Sequence, residues 1–266
     1  MNEATTTTTA DGTDALSVRD LSLSYGGVKA LRGVDLSLPS GTVVGLIGPN
    51  GSGKSSFINV VSGAYRGRYG GEVEILGQSV QGRRAYQRAD MGLARIFQGI
   101  RLFDTLTVEE NIMLGYHSRY RSTYFGGVVR SPRARREERE ARERAHEVMA
   151  IFGDRLLPRR HQQVLSLSYA NRRRTEISRA LISSPRLLLL DEPMAGMNPH
   201  ETEELTDHLL ELNRTTKLSM LLVEHKLSVI GELCDDVYVL DSGEVIAHGS
   251  AQAVQEDEKV VEAFLG

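Results

Sequence analysis

Gly48-Pro49-Asn50-Gly51-Ser52-Gly53-Lys54-Ser55 is the stretch from which the rest of the chain can be read. It follows the apolar run Val43-Val44-Gly45-Leu46-Ile47 and precedes Ser56-Phe57-Ile58-Asn59-Val60-Val61, which can continue as a helix. This is G-x-x-x-x-G-K-S in a strand–loop–helix setting, a phosphate-binding loop. Consecutive backbone N–H groups converge on phosphate oxygens only where no Cβ blocks the approach, which is why glycines recur. The helix behind the loop offers free N–H groups and a positive dipole end to the same anion. Lys54 can add a point charge to the β- and γ-phosphates, and the Ser55 hydroxyl can ligate Mg²⁺. A glycine-rich turn that binds nothing is the alternative; the full spacing and both flanks speak against it.

The composition sets bounds on the remainder. A chain of 266 residues, 40% apolar, is one large domain or one domain with a subdomain. Its formal net charge of −3 gives no global field that would draw nucleic acid. A single cysteine, Cys234, excludes an internal disulfide and fits a reducing compartment, and no Cys/His cluster suggests zinc. The first residues, Met1 to Thr13, are polar and Thr-rich, without the basic start and apolar core of a signal peptide. Residues 1–14 are therefore expected to form a disordered tail. No apolar stretch reaches the ~18 residues of a membrane span, so a soluble chain that docks on a membrane partner is expected.

Leu16 to Leu23 and Val34 to Leu38 alternate in polarity as half-buried strands do, with Ser24-Tyr25-Gly26-Gly27 as the turn between them. The Tyr25 ring either stacks on a purine or packs on its neighbours at a strand end. Gly71 to Gly77 reads as a short strand, and Gly92 to Gln98 as a buried strand with a polar end. Gln98 either reaches a metal or water near the γ-phosphate or is a solvated glutamine. Thr107-Val108-Glu109-Glu110 is a capping box that opens a helix, and Ile100 to Phe103 before it is a surface patch or a loop anchor. After an irregular stretch from Tyr116 to Gly127, Ser131-Pro132 starts a helix over Arg133 to Phe152. Its apolar stripe is Ala141, Ala145, Val148, Met149 and Phe152. Glu137, Glu138, Glu140 and Glu143 interleave with its arginines, which favours a solvated, self-paired face over an RNA-binding one. Ser168 and Asn171 then precede a basic helix start, Arg172-Arg173-Arg174, at a second possible anion site.

Leu187-Leu188-Leu189-Leu190-Asp191-Glu192, bounded by Pro185 and Pro193, fits a strand buried on both faces. Its carboxylates then emerge at the C-terminal end, where open α/β sheets bind ligands. Asp191 can hold Mg²⁺, and Glu192 can polarise the attacking water as general base. Ser219 to His225 repeats the pattern, with His225 either a γ-phosphate contact or structural. Asp241-Ser242-Gly243 marks a hairpin, and Val260 to Leu265 a closing helix.

In order and spacing these elements resemble the nucleotide-binding subunits of ATP-binding-cassette transporters, from about Leu16 to Gly266. The resemblance implies an α/β P-loop NTPase fold with an antiparallel β subdomain and a helical subdomain, the latter about residues 100–183 of a nucleotide-binding domain over 15–266. It implies ATP and Mg²⁺ as cofactors. Tyr25, Gly48 to Ser55, and Ser56 would hold the nucleotide. Lys54, Glu192 and His225 would be catalytic, and Ser55, Gln98 and Asp191 would lie on the metal. Leu167 to Asn171 resembles the signature that closes on the other subunit's ATP, through Ser168 and Ala170. Within the family, Arg95 to Phe103, Ala195-Gly196-Met197-Asn198-Pro199 and Ala263-Phe264-Leu265-Gly266 look most like the ATPase of branched-chain amino acid importers; urea, amide and lipopolysaccharide-type ATPases share this wording.

Two departures stand out: Ala170 and Asn171 replace the usual Gly and Gln of the signature, and Asn198 replaces a frequent Asp. A methyl at Ala170 is expected to perturb the approach to the γ-phosphate across the dimer. The implied assembly contains integral-membrane permease subunits, a second ATPase subunit, identical or related, and a solute-binding protein, with no nucleic acid. It places the chain on the cytoplasmic face of the cell membrane. The rival readings are a soluble ATPase of the same fold acting in DNA repair or translation, and a cassette that binds ATP without hydrolysing it.

Overall fold

The structure is a computed structural model that describes residues 14–116 and 132–265. The expected tail Met1 to Thr13, the stretch from residue 117 and the Ser131 cap lie outside the described residues. The chain runs β1 (Leu16–Tyr25), β2 (Val28–Leu38), β3 (Val43–Ile47), α1 (Lys54–Ser62), β4 (Gly70–Ile75), β5 (Gln78–Ser79), α2 (Ala85–Asp90), β6 (Leu93–Ile96) and α3 (Val108–Leu114). It continues as α4 (Pro132–Ala150), α5 (Tyr169–Leu181), β7 (Leu187–Asp191), α6 (Pro199–Thr216), β8 (Ser219–Val223), α7 (Leu227–Leu233), β9 (Asp236–Asp241), β10 (Glu244–Gly249), α8 (Ala251–Glu256) and α9 (Glu258–Leu265).

Two sheets result. One is antiparallel, in the order β2-β1-β4-β5. The other has the order β10-β9-β3-β8-β7-β6, parallel except for the hairpin strand β10. Every residue of β3, β7 and β8 is buried, as their unbroken apolar runs require of central parallel strands. Their side chains alternate between two cores. Val43, Ile47, Leu188, Leu190, Met220 and Leu222 enter the core beneath the helices. Val44, Leu46, Leu187, Leu189, Leu221 and Val223 join Leu16, Leu36 and Phe57 in the core shared with the antiparallel sheet.

The first hairpin is longer than its polarity pattern suggests. Gly26 and Gly27 take φ values of 52° and 95°, so the turn contracts to two residues. Pairing then begins at Tyr25 and Val28, and register shifts near Leu21 and Leu23 absorb the mismatch. The long charged helix starts at Pro132 and ends at Ala150, and Ala145, Val148 and Met149 pack with Val108 and Ile112 of α3 and Ile177 of α5. Its polar face carries the expected pairs Arg133–Glu137, Arg136–Glu140, Arg142–Glu138 and Arg144–Glu147. The face is not wholly solvated, however. Arg142 and His146 also reach Glu109 of α3, a buried carboxylate, at 2.8 and 2.7 Å. A guanidinium and an imidazole converge there because a carboxylate removed from water needs partners.

Candidate functional site

The phosphate loop leaves the C-terminal end of β3, which lies between β8 and β9. Sterics dictate two of its glycines. A Cβ on Gly48 would sit 1.9 Å from the Leu240 carbonyl oxygen, and one on Gly53 would sit 2.7 Å from that of Ala30. Both also have positive φ, 149° and 109°. Lys54 is buried and curls into its own loop, donating to the carbonyls of Gly48 and Pro49 at 2.8 and 2.9 Å. Burial pulls its pKa down, and the charges of Glu192 and Asp191 act in the opposite sense. Ser55 is exposed at the start of α1, and Ser56 is half-buried behind it.

The second half of the site stands on β7 and β8. Asp191 pairs with Arg95 at 2.9 Å. Arg95 also donates to Asn59 and Ser62 of α1, so it ties the end of β7 to the helix behind the phosphate loop. Burial is the main influence lowering the Arg95 pKa, and Asp191 opposes it. Glu192 adopts φ 48°, a left-handed conformation that costs a residue with a Cβ about 1–2 kcal/mol. Its N–H is fixed on the Val223 carbonyl at 2.9 Å. The turn aims its carboxylate between two partners: Gln98 Nε2 donates to Oε2 at 2.9 Å, and His225 Nε2 lies 3.0 Å from Oε1. Strain held by neighbours in this way is a mark of functional positions. The structure thus brings Gln98, Asp191, Glu192 and His225 to one sheet end with the phosphate loop. The Gln98 amide, expected to reach a metal or water, spends its N–H on Glu192.

Glu224, which polarity alone did not single out, is 3% exposed. One carboxylate oxygen accepts the Met194 N–H at 2.9 Å and the other the His225 N–H at 3.2 Å. It fastens the segment after Glu192 to the one carrying His225.

Ser168, Tyr169 and Ala170 form a separate group at the start of α5. Ser168 caps the helix, accepting the Asn171 N–H at 3.4 Å. Ala170 is 1% exposed and packs in the core beneath the helices, so its methyl faces the interior of its own chain. That corrects the expectation of a methyl obstructing a partner's nucleotide. Asn198 serves as N-cap of α6, with Glu201 completing a capping box, a role that asparagine fills as well as aspartate. Tyr25 lies at the tip of the first hairpin, 43% exposed, its ring edge-on to Tyr65 at 5.5 Å.

Arg173 joins α5 to the segment that bears Gln98. It is fully buried and donates to the carbonyls of Phe97 and Gln98 at 2.6 Å each and to Glu176 at 2.7 Å. The other oxygen of Glu176 accepts the Arg101 N–H at 3.0 Å. The pair thereby grips both sides of the segment bearing Gln98. Burial raises the Glu176 pKa, with Arg173 the chief opposing influence. A basic run hid this link; the signal available was an Arg and a Glu three residues apart on an otherwise apolar helix face.

Among the described residues no group of three or more His, Cys, Asp or Glu could hold a metal ion. Ser55, Gln98 and Asp191 supply a hydroxyl, an amide and a carboxylate. That oxygen set suits Mg²⁺ shared with phosphates and water rather than caged by protein.

Comparison with known proteins agrees with this geometry. A family model described as ABC transporter matches residues 31–195, and one described as branched-chain amino acid ATP-binding cassette transporter matches residues 244–266. The high-affinity branched-chain amino acid transport ATP-binding protein LivG of Escherichia coli K12 is 36% identical over 94% of this chain and 97% of its own. The lipopolysaccharide export system ATP-binding protein LptB of Haemophilus influenzae is 31% identical over the same shares. A solved ATP-binding cassette of an ABC transporter in its ADP conformation has a TM-score of 0.81 at 29% identity, covering 96% of this chain and 99% of that one. With the phosphate loop, the paired carboxylates and the histidine at one sheet end, these likenesses show that the chain belongs to the ABC transporter family, among its ATP-binding subunits.

Proposed function

We propose that this chain is the ATP-hydrolysing subunit of an importer of branched-chain amino acids. The observation that carries the catalytic part is the Glu192 carboxylate, held by Gln98 and His225 in a strained turn beside the phosphate loop. Gly48 to Ser56 receive the phosphates, and Tyr25 stacks on the adenine. Lys54 exchanges its loop carbonyls for phosphate oxygens as the nucleotide enters. A water attacks the γ-phosphorus in line, Glu192 takes its proton, and the bond to the β–γ bridging oxygen breaks to leave ADP and phosphate. His225 contacts the γ-phosphate and holds Glu192 in place. Ser55, Gln98 and Asp191 would hold Mg²⁺, which neutralises charge on the β- and γ-phosphates. Ser168, exposed at the start of α5 above the buried Ala170, reaches the ATP of a second cassette, so two subunits sandwich two nucleotides.

The same reading assigns roles in nucleotide binding to the domain over residues 15–266, with residues 100–183 as its helical part. A groove of about 590 Å³ lined by Tyr86, Leu93, Phe97, Leu114 and Ala180 seats a membrane permease. It adjoins Gln98, so a seated permease acts on the segment that holds Glu192. No helix among the described residues is long and apolar enough to cross a membrane, and the permeases hold the chain at the cytoplasmic face. A solute-binding protein completes the importer. The C-terminal match and the likeness to LivG support branched-chain amino acids as cargo; the likeness to LptB favours lipid export as the second reading. Glu192→Gln is expected to bind ATP and turn over at least about 100-fold more slowly, the scale for losing a general base; unchanged turnover overturns the catalytic assignment. Affinity capture from detergent-solubilised membranes tests the partners. Two multi-spanning permeases and a solute-binding protein for amino acids are expected, and recovery of a lipid-export complex refutes the importer.

A further inference from the structure

We propose that an arginine-lined cleft beside the permease groove binds the phosphate headgroups of anionic lipids, so that the chain touches the leaflet as well as its permease. The proposal rests on the permease seat described above. The cleft encloses about 930 Å³. One lip is the segment after α1, with Tyr65, Arg66, Arg68 and Tyr69; the other precedes and enters α2, with Arg83, Arg84 and Tyr86. Among the described residues no Asp or Glu lines it. The four arginines are exposed, and among the described residues none of them forms an ion pair. Arg19, Arg32, Arg133, Arg136, Arg142, Arg144 and Arg155, by contrast, each have a carboxylate within 4.0 Å. Four unmatched positive charges converge on one cleft in a chain whose net charge is −3.

The floor adds a fifth charge. Arg88 is 3% exposed and donates to the carbonyls of Val60, Val61, Val80 and Arg83. It closes the C-terminal end of α1 and fixes both lips, and its guanidinium is surrounded by carbonyl dipoles with the Tyr69 side chain beside it. The cleft is therefore a held shape with a positive floor and positive rims.

Guanidinium forks match phosphate oxygens, and tyrosines favour the depth of lipid headgroups. Position chooses the lipid over other polyanions. The cleft and the apolar groove share Ala85 and Tyr86. A membrane subunit seated in the groove would therefore lie directly beside the cleft, and this nearness favours lipid headgroups over polyanions in solution. Each arginine close to an anionic surface strengthens binding about fivefold.

The test is co-sedimentation of the full-length chain with vesicles of phosphatidylcholine, alone or mixed with phosphatidylglycerol. Sedimentation is expected only with phosphatidylglycerol, and added salt should release the protein. R66E/R68E and R83E/R84E should each weaken vesicle binding at least about 25-fold, two arginines at fivefold apiece. Basal ATP hydrolysis, melting temperature and permease recovery in detergent should stay at the parent's values. Failure of the parent to bind the anionic vesicles, or equal binding by the variants, overturns the proposal. If the variants instead lose permease recovery, the cleft serves an acidic protein segment and the lipid assignment falls. Loss of the permease reading would show separately, as a parent chain that binds anionic vesicles and captures no permease.

Discussion

Arg173→Ala breaks a buried ion pair and releases the segment that steers Glu192, and both consequences can be sized. Arg173 and Glu176 have side chains 0% and 2% exposed and lie 2.7 Å apart. Removing the arginine leaves a carboxylate in the interior with the Arg101 N–H at 3.0 Å and Arg179 at 4.0 Å, and strips the Phe97 and Gln98 carbonyls of their donor. Breaking a buried pair on one side costs about 3–5 kcal/mol. In a chain of this size that lowers the melting temperature on the order of 10 °C. The Glu176 pKa, already raised by burial, rises further without its chief opposing charge, so proton uptake blunts the loss at low pH. Arg173→Met with Glu176→Leu removes both charges and should recover much of the stability. Urea unfolding of Arg173→Met, Glu176→Leu and the double variant measures the coupling. The double variant should still hydrolyse ATP about 10–100-fold more slowly at unchanged nucleotide affinity, because Gln98 has lost its anchor. Additive stability losses within about 0.5 kcal/mol, or full turnover in the double variant, would refute the argument.

Other substitutions test separate parts. Gly48→Ala drives a methyl against the Leu240 carbonyl and should abolish ATP binding by isothermal calorimetry. Lys54→Met should remove the upward shift in melting temperature that ATP gives. Without nucleotide it should be at least as stable as the parent at neutral pH. Burial holds the Lys54 pKa below its unfolded value, so the charged lysine opposes folding there, and the penalty fades as pH rises toward 10.5. Asn198→Ala should cost about 1 kcal/mol in urea unfolding through loss of a helix cap, whereas Asn198→Asp keeps it. The Cys234 thiol, pushed up to about 12 by burial, should resist Ellman's reagent at pH 8 until the chain is unfolded.

Motifs whose chemistry is local were legible from sequence: the phosphate loop, the buried runs ending in Asp191 and His225, and the capping box at Thr107. Each is fixed by neighbours in the chain, so residue type and spacing carry the information. The supporting contacts were not legible, because they join segments far apart. Arg95 meets Asp191 across 96 positions and Arg173 meets Phe97 across 76, and nothing local marks which arginine of a basic run turns inward. Ala170 failed for a related reason. A signature position predicts that the backbone matters, but only packing shows that the methyl points into its own core. The length of the first hairpin depended on two glycines with positive φ and on register shifts that polarity alternation cannot encode.

The segment from Phe97 to Arg101 is the point at which these features meet. Its Phe97 ring lies beneath the guanidinium groups of Arg95 and Arg101, at 4.3 and 3.7 Å, and also lines the groove. Gln98 extends from it to Glu192, and Arg173 and Glu176 of α5 grip its two sides. Arg95, stacked on the same ring, ends on Asp191. One short stretch thus contacts the proposed permease seat, the proposed base, the helix capped by Ser168, and the partner of Asp191. Close-packed contacts of this kind transmit displacement rather than absorb it. Shifting Phe97 in the groove should therefore displace Gln98 and with it the 2.9 Å contact to Glu192. In the proposed importer, coupling of docking to hydrolysis would run through this segment and α5, with the β3, β7 and β8 core as the fixed frame.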